Sequence, residues 1–157
     1  MSVFSAELTV IGWKPEMNSI PLSEKEQCLK SMVDLLSNKG FTNDKRNLFQ
    51  KLISREKDMS TGIGNQIAIP HVRDKSISNF KAVIYLLDRE IDFNSIDGRK
   101  VRLIIFFAIP ENDSGNYMKT MSKVVEFLRK ADNRSQILDC TNSEDLNKSF
   151  RRLEDEL

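Results

Sequence analysis

The chain has 157 residues, 30% of them charged, and its formal net charge at pH 7 is +1. That length suits one domain, residues 1–157, able to bury most of its unfolded surface. The balanced charge offers neither the basic excess that favours nucleic acid nor an acidic tail. Cys28 and Cys140 stand far apart and form no CxxC, so neither a disulfide framework nor a zinc site is expected. The N-terminal MSVFSAELTVIGW has no basic region ahead of a long apolar core, which argues against a signal peptide. The longest apolar run, Leu103 to Ile109, has seven residues, whereas crossing a bilayer takes ~20. A cytoplasmic protein with no direct membrane insertion is expected.

Phe4 to Val10 alternates loosely and reads as a strand, with Trp13, Pro15 and Asn18 marking loop. Ser23 and Glu26 form a capping box that opens a helix with Leu29, Met32, Val33 and Leu36 on one face. Lys39 and Gly40 close it. A second helix is predicted from Asp44 to Arg55, with Leu48, Phe49, Leu52 and Ile53 inward. Asp58 to Asn65 reads as loop, and Ile67 to Ile69 as a short strand stopped by Pro70, which has no N–H for a ladder. Ala82 to Leu87 is another strand. Ile91 to Ile96 leads into Asp97-Gly98, a hairpin signal. Val101 to Ile109 is apolar enough to be a central strand buried on both faces. Ser114 is expected to cap a helix from Asn116 to Lys130, with Met118, Met121, Val125 and Leu128 on one face and Val124 and Phe127 widening the stripe. Asn133 opens a short helix to Asp139, and Ser143 opens the last one. Alternating strands and helices predict one α/β sandwich of about four or five strands and five helices.

The residues that carry chemistry cluster between Arg55 and Arg73, in REKDMSTGIGNQIAIPHVR. This stretch holds the only histidine, His71, two of the six glycines, Gly62 and Gly64, and an arginine at either end. Imidazole changes charge near neutral pH, and arginines flanking it through a glycine turn suit phosphate chemistry. On residues alone His71 reads more readily as a structural histidine at the carboxyl end of a strand than as a catalyst. Arg55 reads either as a phosphate clamp or as a cation complementing a helix C-terminus. Thr61, Gly62, Gly64 and Asn65 read either as a phosphate-lining loop or as a connecting turn. TGIG lacks the lysine of a P-loop and the spacing of a dinucleotide fingerprint, which counts against a nucleotide-binding module.

TGIGNQIAIPH, with an arginine shortly before it, resembles the active-site signature of the enzyme IIA domains of the bacterial phosphotransferase system, in the fructose/mannitol and nitrogen-regulatory branch. DREIDFNSIDGRKVRLIIFFAIPE is similar to that family's next segment, a hairpin leading into a buried strand. The resemblance implies a central mixed sheet with helices on both sides. It implies His71 as phosphoryl acceptor and Arg55 as clamp; Thr61, Gly62, Gly64 and Asn65 are then the candidates to line the phosphate pocket, and no metal or cofactor is expected. The family carries a second histidine at the start of the helix after the central strand. Tyr117 stands there in this chain, either beside His71 or simply packed at the pocket rim. A tyrosine hydroxyl forms hydrogen bonds but does not become a cation at neutral pH, so it offsets less of a phosphoryl dianion's charge.

The implied function is a phosphoryl carrier. It takes phosphate from a histidine-phosphorylated, HPr-like carrier protein and passes it to a sugar-specific IIB protein in fructose/mannitol-type uptake. The alternative is a stand-alone nitrogen-type regulatory protein that binds partners according to the phosphorylation state of His71.

Overall fold

The computed structural model describes residues 2–17 and 21–156. Its elements are β1 (Phe4–Trp13), α1 (Glu24–Asn38), α2 (Lys45–Asp58), β2 (Gly62–Gly64), β3 (Ile67–Ala68), β4 (His71–Asp74), β5 (Lys81–Ile91), β6 (Val101–Pro110), α3 (Asn116–Arg129), α4 (Ala131–Leu138) and α5 (Ser143–Asp155). The expected mixed α/β architecture holds, with six strands among the described residues rather than four or five. The sheet runs β1-β5-β6-β3-β2, and β4 also pairs with β6. β6 is antiparallel to β5 and parallel to β3 and β4, and β1 is parallel to β5.

β6 occupies the centre because almost every residue in it is apolar and both its faces need cover. Ile104, Phe106 and Ala108 face one apolar cluster with Leu29, Met32 and Leu36 of α1 and Leu48 and Leu52 of α2. Leu103, Ile105, Phe107 and Ile109 face another with Val124 and Leu128 of α3, Ile137 of α4 and Leu146 and Phe150 of α5. The two-residue alternation of a strand sorts one sequence between two cores.

Several boundaries differ from expectation for identifiable reasons. β1 runs on through Trp13, which pairs with Leu87 and stacks on Tyr85 at 6.1 Å between ring centroids. Asn18, expected in loop, lies outside the described residues. α1 keeps its expected capping box, Ser23 with Glu26. α2 continues past Arg55 to Asp58, through polar residues that carry no apolar period, because Glu56 packs inward. Gly62–Gly64, expected as loop, pairs antiparallel with β3. Pro70 does interrupt the ladder, but β4 resumes it immediately: β3 pairs with Leu103 and Ile104, and His71–Asp74 with Phe107–Pro110. His71 is therefore the first residue of a strand as well as the sequel to one. α3 is not capped by Ser114. Gly115 holds the cap position at φ +100°, and the Asp113 carboxylate accepts the N–H groups of Gly115 and Tyr117. α4 begins at Ala131 rather than Asn133.

Candidate functional site

Two elements bring the cations together. On α2, Lys51 and Arg55 are four residues apart and share a face. α2 packs along β4, where Lys51 Nζ donates to the Arg73 carbonyl at 2.6 Å and to Asp74 Oδ1 at 3.1 Å. Asp74 is 4% exposed. Burial pushes its carboxyl pKa up, but hydrogen bonds from the Ser76 side chain and backbone, together with Lys51, outweigh that and hold it below the usual value. On the other side, Arg73 lies over the Tyr117 ring and donates from Nη2 to the Asp113 carbonyl at 3.3 Å.

Between α2, β4 and the start of α3 is a cavity of about 220 Å³ lined by Lys51, Arg55, His71, Val72, Arg73, Ile109 and Tyr117. Three of these residues are cations and none is acidic, so the cavity suits an anion. His71, Arg55 and Tyr117 are thus brought together from three elements, in agreement with the parallel pairing of the His71 segment and β6. Among the described residues no hydrogen bond joins Tyr117 to His71.

The half-buried His71 ring has Nδ1 3.1 Å from the Ile69 carbonyl. A carbonyl oxygen only accepts, so Nδ1 carries a proton, and in the neutral ring the lone pair is then on Nε2. Pro70, with its fixed φ, links the two residues, and its own carbonyl accepts Phe107 N–H at 2.9 Å.

Thr61, Gly62, Gly64 and Asn65 do not line this cavity; they build the adjoining β2–β3 hairpin. Asn65 and Gln66, at φ +55° and +69°, form its two-residue turn, as a type I′ connection requires. Asn65 N–H donates to Asp97 Oδ2 at 3.0 Å. The N–H groups of Arg99 and Asn65 hold the Asp97 carboxyl below its usual pKa. Gly62 abuts Ser95, and Gly64, at φ +91°, abuts Asp97. The Thr61 hydroxyl and N–H both donate to Glu56. Sequence reasoning missed Lys51, whose only signal was its four-residue spacing from Arg55, and gave Arg73 no role of its own beyond flanking His71. Among the described residues no group of His, Cys, Asp or Glu is placed to hold a metal ion, and no helix is long and apolar enough to cross a membrane.

The family described as "Phosphoenolpyruvate-dependent sugar phosphotransferase system, EIIA 2" matches residues 17–152. The chain belongs to this EIIA family. This EIIA chain is 29% identical over 128 residues to the nitrogen regulatory protein of Pseudomonas aeruginosa, covering 82% of this chain and 83% of that one. It is 31% identical over 128 residues to the fructose-specific EIIABC component of Bacillus subtilis, covering 81% of this chain and 20% of that longer one. Its fold is similar to that of nitrogen regulatory protein IIA-Ntr from Neisseria meningitidis, with TM-score 0.83 and 22% identity over 94% of this chain and 96% of that one. It is also similar to mannitol IIA of Escherichia coli in complex with phosphorylated IIB, with TM-score 0.72 and 16% identity over 91% and 94% of the two chains.

Proposed function

We propose that this EIIA protein carries a phosphoryl group on Nε2 of His71, receiving it from a histidine-phosphorylated, HPr-like protein and passing it to a IIB protein of fructose/mannitol type. The observation that carries this reading is the committed ring of His71. Its Nδ1–H is held by Ile69, in a cavity lined by Lys51, Arg55 and Arg73 and by no acidic residue.

In the transfer, the Nε2 lone pair attacks phosphorus in line with the donor's phosphorus–nitrogen bond. That bond breaks, and the electron pair leaves with the donor imidazole. The protein has little covalent work to do and mainly positions groups and offsets charge. Arg55 pairs phosphoryl oxygens with its planar fork, while Lys51 and Arg73 add positive potential. Nδ1 stays protonated, so the phosphorylated ring is a good leaving group for the onward step. The acceptor thiol belongs to the partner. Cys28 is fully buried, which pushes its pKa far up, and burial also raises that of Cys140; thiols held protonated in this way are poor nucleophiles. With Tyr117 in place of the family's second histidine, the relay runs more slowly than a two-histidine site.

The relatives named nitrogen regulatory proteins support a second reading, in which the phosphorylation state of His71 governs binding to other proteins. One experiment addresses both readings. Labelled phospho-carrier is incubated with the wild-type and His71→Ala proteins, followed by a panel of IIB acceptors. One acid-labile phosphate on the wild type and none on the variant is expected. Phosphate on the variant sinks the assignment, and phosphorylation without discharge to any IIB favours the regulatory reading.

A further inference from the structure

Glu56 is 6% exposed and lies in the last turn of α2, and the phosphoryl-transfer scheme does not use it. Two penalties attach to it there. A carboxylate near a helix C-terminus opposes the helix dipole. A buried ion pair is commonly no more stabilising than well-packed apolar residues of the same volume. Stability alone therefore does not account for Glu56 and its partner Lys25, whose Nζ lies 2.9 Å from Glu56 Oε2.

What the pair grips is Thr61. Glu56 Oε2 accepts Thr61 N–H at 3.1 Å, and Oε1 accepts the Thr61 hydroxyl. Lys25 is fixed in turn, donating to the Phe93 carbonyl at 3.3 Å with Nζ 4.5 Å from the centre of the Phe93 ring. The Thr61 carbonyl accepts Ile69 N–H at 2.9 Å. The Ile69 carbonyl then receives the imidazole Nδ1–H at 3.1 Å. A continuous path of hydrogen bonds thus runs from α1 through the end of α2 to the ring of His71, with Pro70 removing one backbone freedom between the last two links.

We propose that Glu56, held by Lys25, is a positioning residue for His71: through Thr61 it fixes the Ile69 carbonyl, and that carbonyl selects the tautomer with Nε2 unprotonated. The tautomer claim stands on the geometry, and its effect on rate rests on the carrier reading above. A net backbone-type hydrogen bond biases such an equilibrium by on the order of tenfold.

The test is ¹⁵N NMR of the unphosphorylated full chain, in which the one histidine gives one unambiguous imidazole. The wild type should show the Nδ1–H tautomer. Glu56→Gln and Thr61→Val should shift the population toward Nε2–H by about tenfold. Thr61→Ser, which restores the hydroxyl, should recover it. In phosphoryl transfer the shifted variants should lose kcat in proportion to the measured loss of the Nδ1–H population, with the donor KM unchanged. Folded variants that keep the wild-type imidazole spectrum overturn the proposal. So does fast solvent exchange of the Thr61 or Ile69 amide in the wild-type protein, a measurement that needs no variant to fold. A tautomer shift in a protein that accepts no phosphate refutes the carrier reading and leaves the positioning role standing.

Discussion

Arg73 and Tyr117 form a stacked pair in the lining of the cavity beside His71, with Arg73 Cζ 5.0 Å from the centre of the Tyr117 ring. The guanidinium is a permanent cation, and the ring, half-buried against the α3 face of the sheet, fixes where it sits. Arg73→Gln should lower the unfolding free energy by about 0.5–1 kcal/mol, the range of an exposed cation–π contact. It should also slow phosphorylation of His71 severalfold. Denaturant melts and transfer kinetics at constant ionic strength check the two effects separately.

Arg55 faces the same cavity from α2. Arg55→Lys keeps the charge and loses the fork that binds two oxygens at once. Loss of one charge-assisted pair costs on the order of 2 kcal/mol, which is tens-fold in transfer rate. Circular dichroism should be unchanged. Wild-type kinetics in the lysine variant would reduce Arg55 to a helix-end charge.

His71, Arg55 and Tyr117 were legible in the sequence because each lies in a contiguous pattern: the TGIGNQIAIPH run, the helix before it, and the helix after the central strand. Lys51 was not. A lysine on a polar helix face means nothing until β4 pairs with β6 and brings the Arg73 carbonyl and Asp74 under it. β2 and β4 were hidden for a related reason. Strands of three and four residues rich in glycine and polar side chains show no two-residue apolar alternation, and only long-range pairing reveals them. The glycine run reads in the sequence as a phosphate-lining loop or a connecting turn, yet Gly62 and Gly64 serve close packing against Ser95 and Asp97 of the β5–β6 connection. Glu56 was unreadable because buried charge has no periodic signature.

Gly62 illustrates the packing. A Cβ added there would meet Ser95 Cα at 2.9 Å, and the Ser95 hydroxyl closer still. Gly62→Ala should destabilise the protein by about 1–3 kcal/mol, as overpacking does. Because the hairpin carries Thr61, it should also disturb the His71 imidazole resonance. An unchanged melting curve would show that the loop yields freely.

The Asp74 carboxyl is held below its usual pKa, so its contribution to stability is complete above the unfolded value of ~3.9 and is lost as pH falls through the lower folded value. Asp74→Asn should destabilise the protein by about 1–3 kcal/mol at pH 7, the range for hydrogen bonds to a charged group. The gap from wild type should close progressively below pH ~3.9. A gap that stays constant on acidification would assign the loss to packing rather than charge.

Tyr117→His tests the cavity's charge directly. Tyr117 lines the cavity with His71, and no hydrogen bond joins the two among the described residues. The phenol therefore contributes a neutral surface and a seat for Arg73. An imidazole in its place would supply a titratable cation to the phosphoryl oxygens, at the expense of the stack. The incoming ring would also stand beside the Arg73 guanidinium, and like charges resist protonation. The gain should therefore be small at pH 7.5 and grow as pH falls below ~6.5, where imidazole gains its charge. The measurement is the rate of phosphoryl transfer to His71, and the lifetime of the phosphorylated form, from pH 5.5 to pH 8 on the order of half-unit steps, in wild type and variant. A ratio of the two rates that rises toward acid supports charge complementation across the cavity. A flat ratio means that Tyr117 acts only through its packing against Arg73.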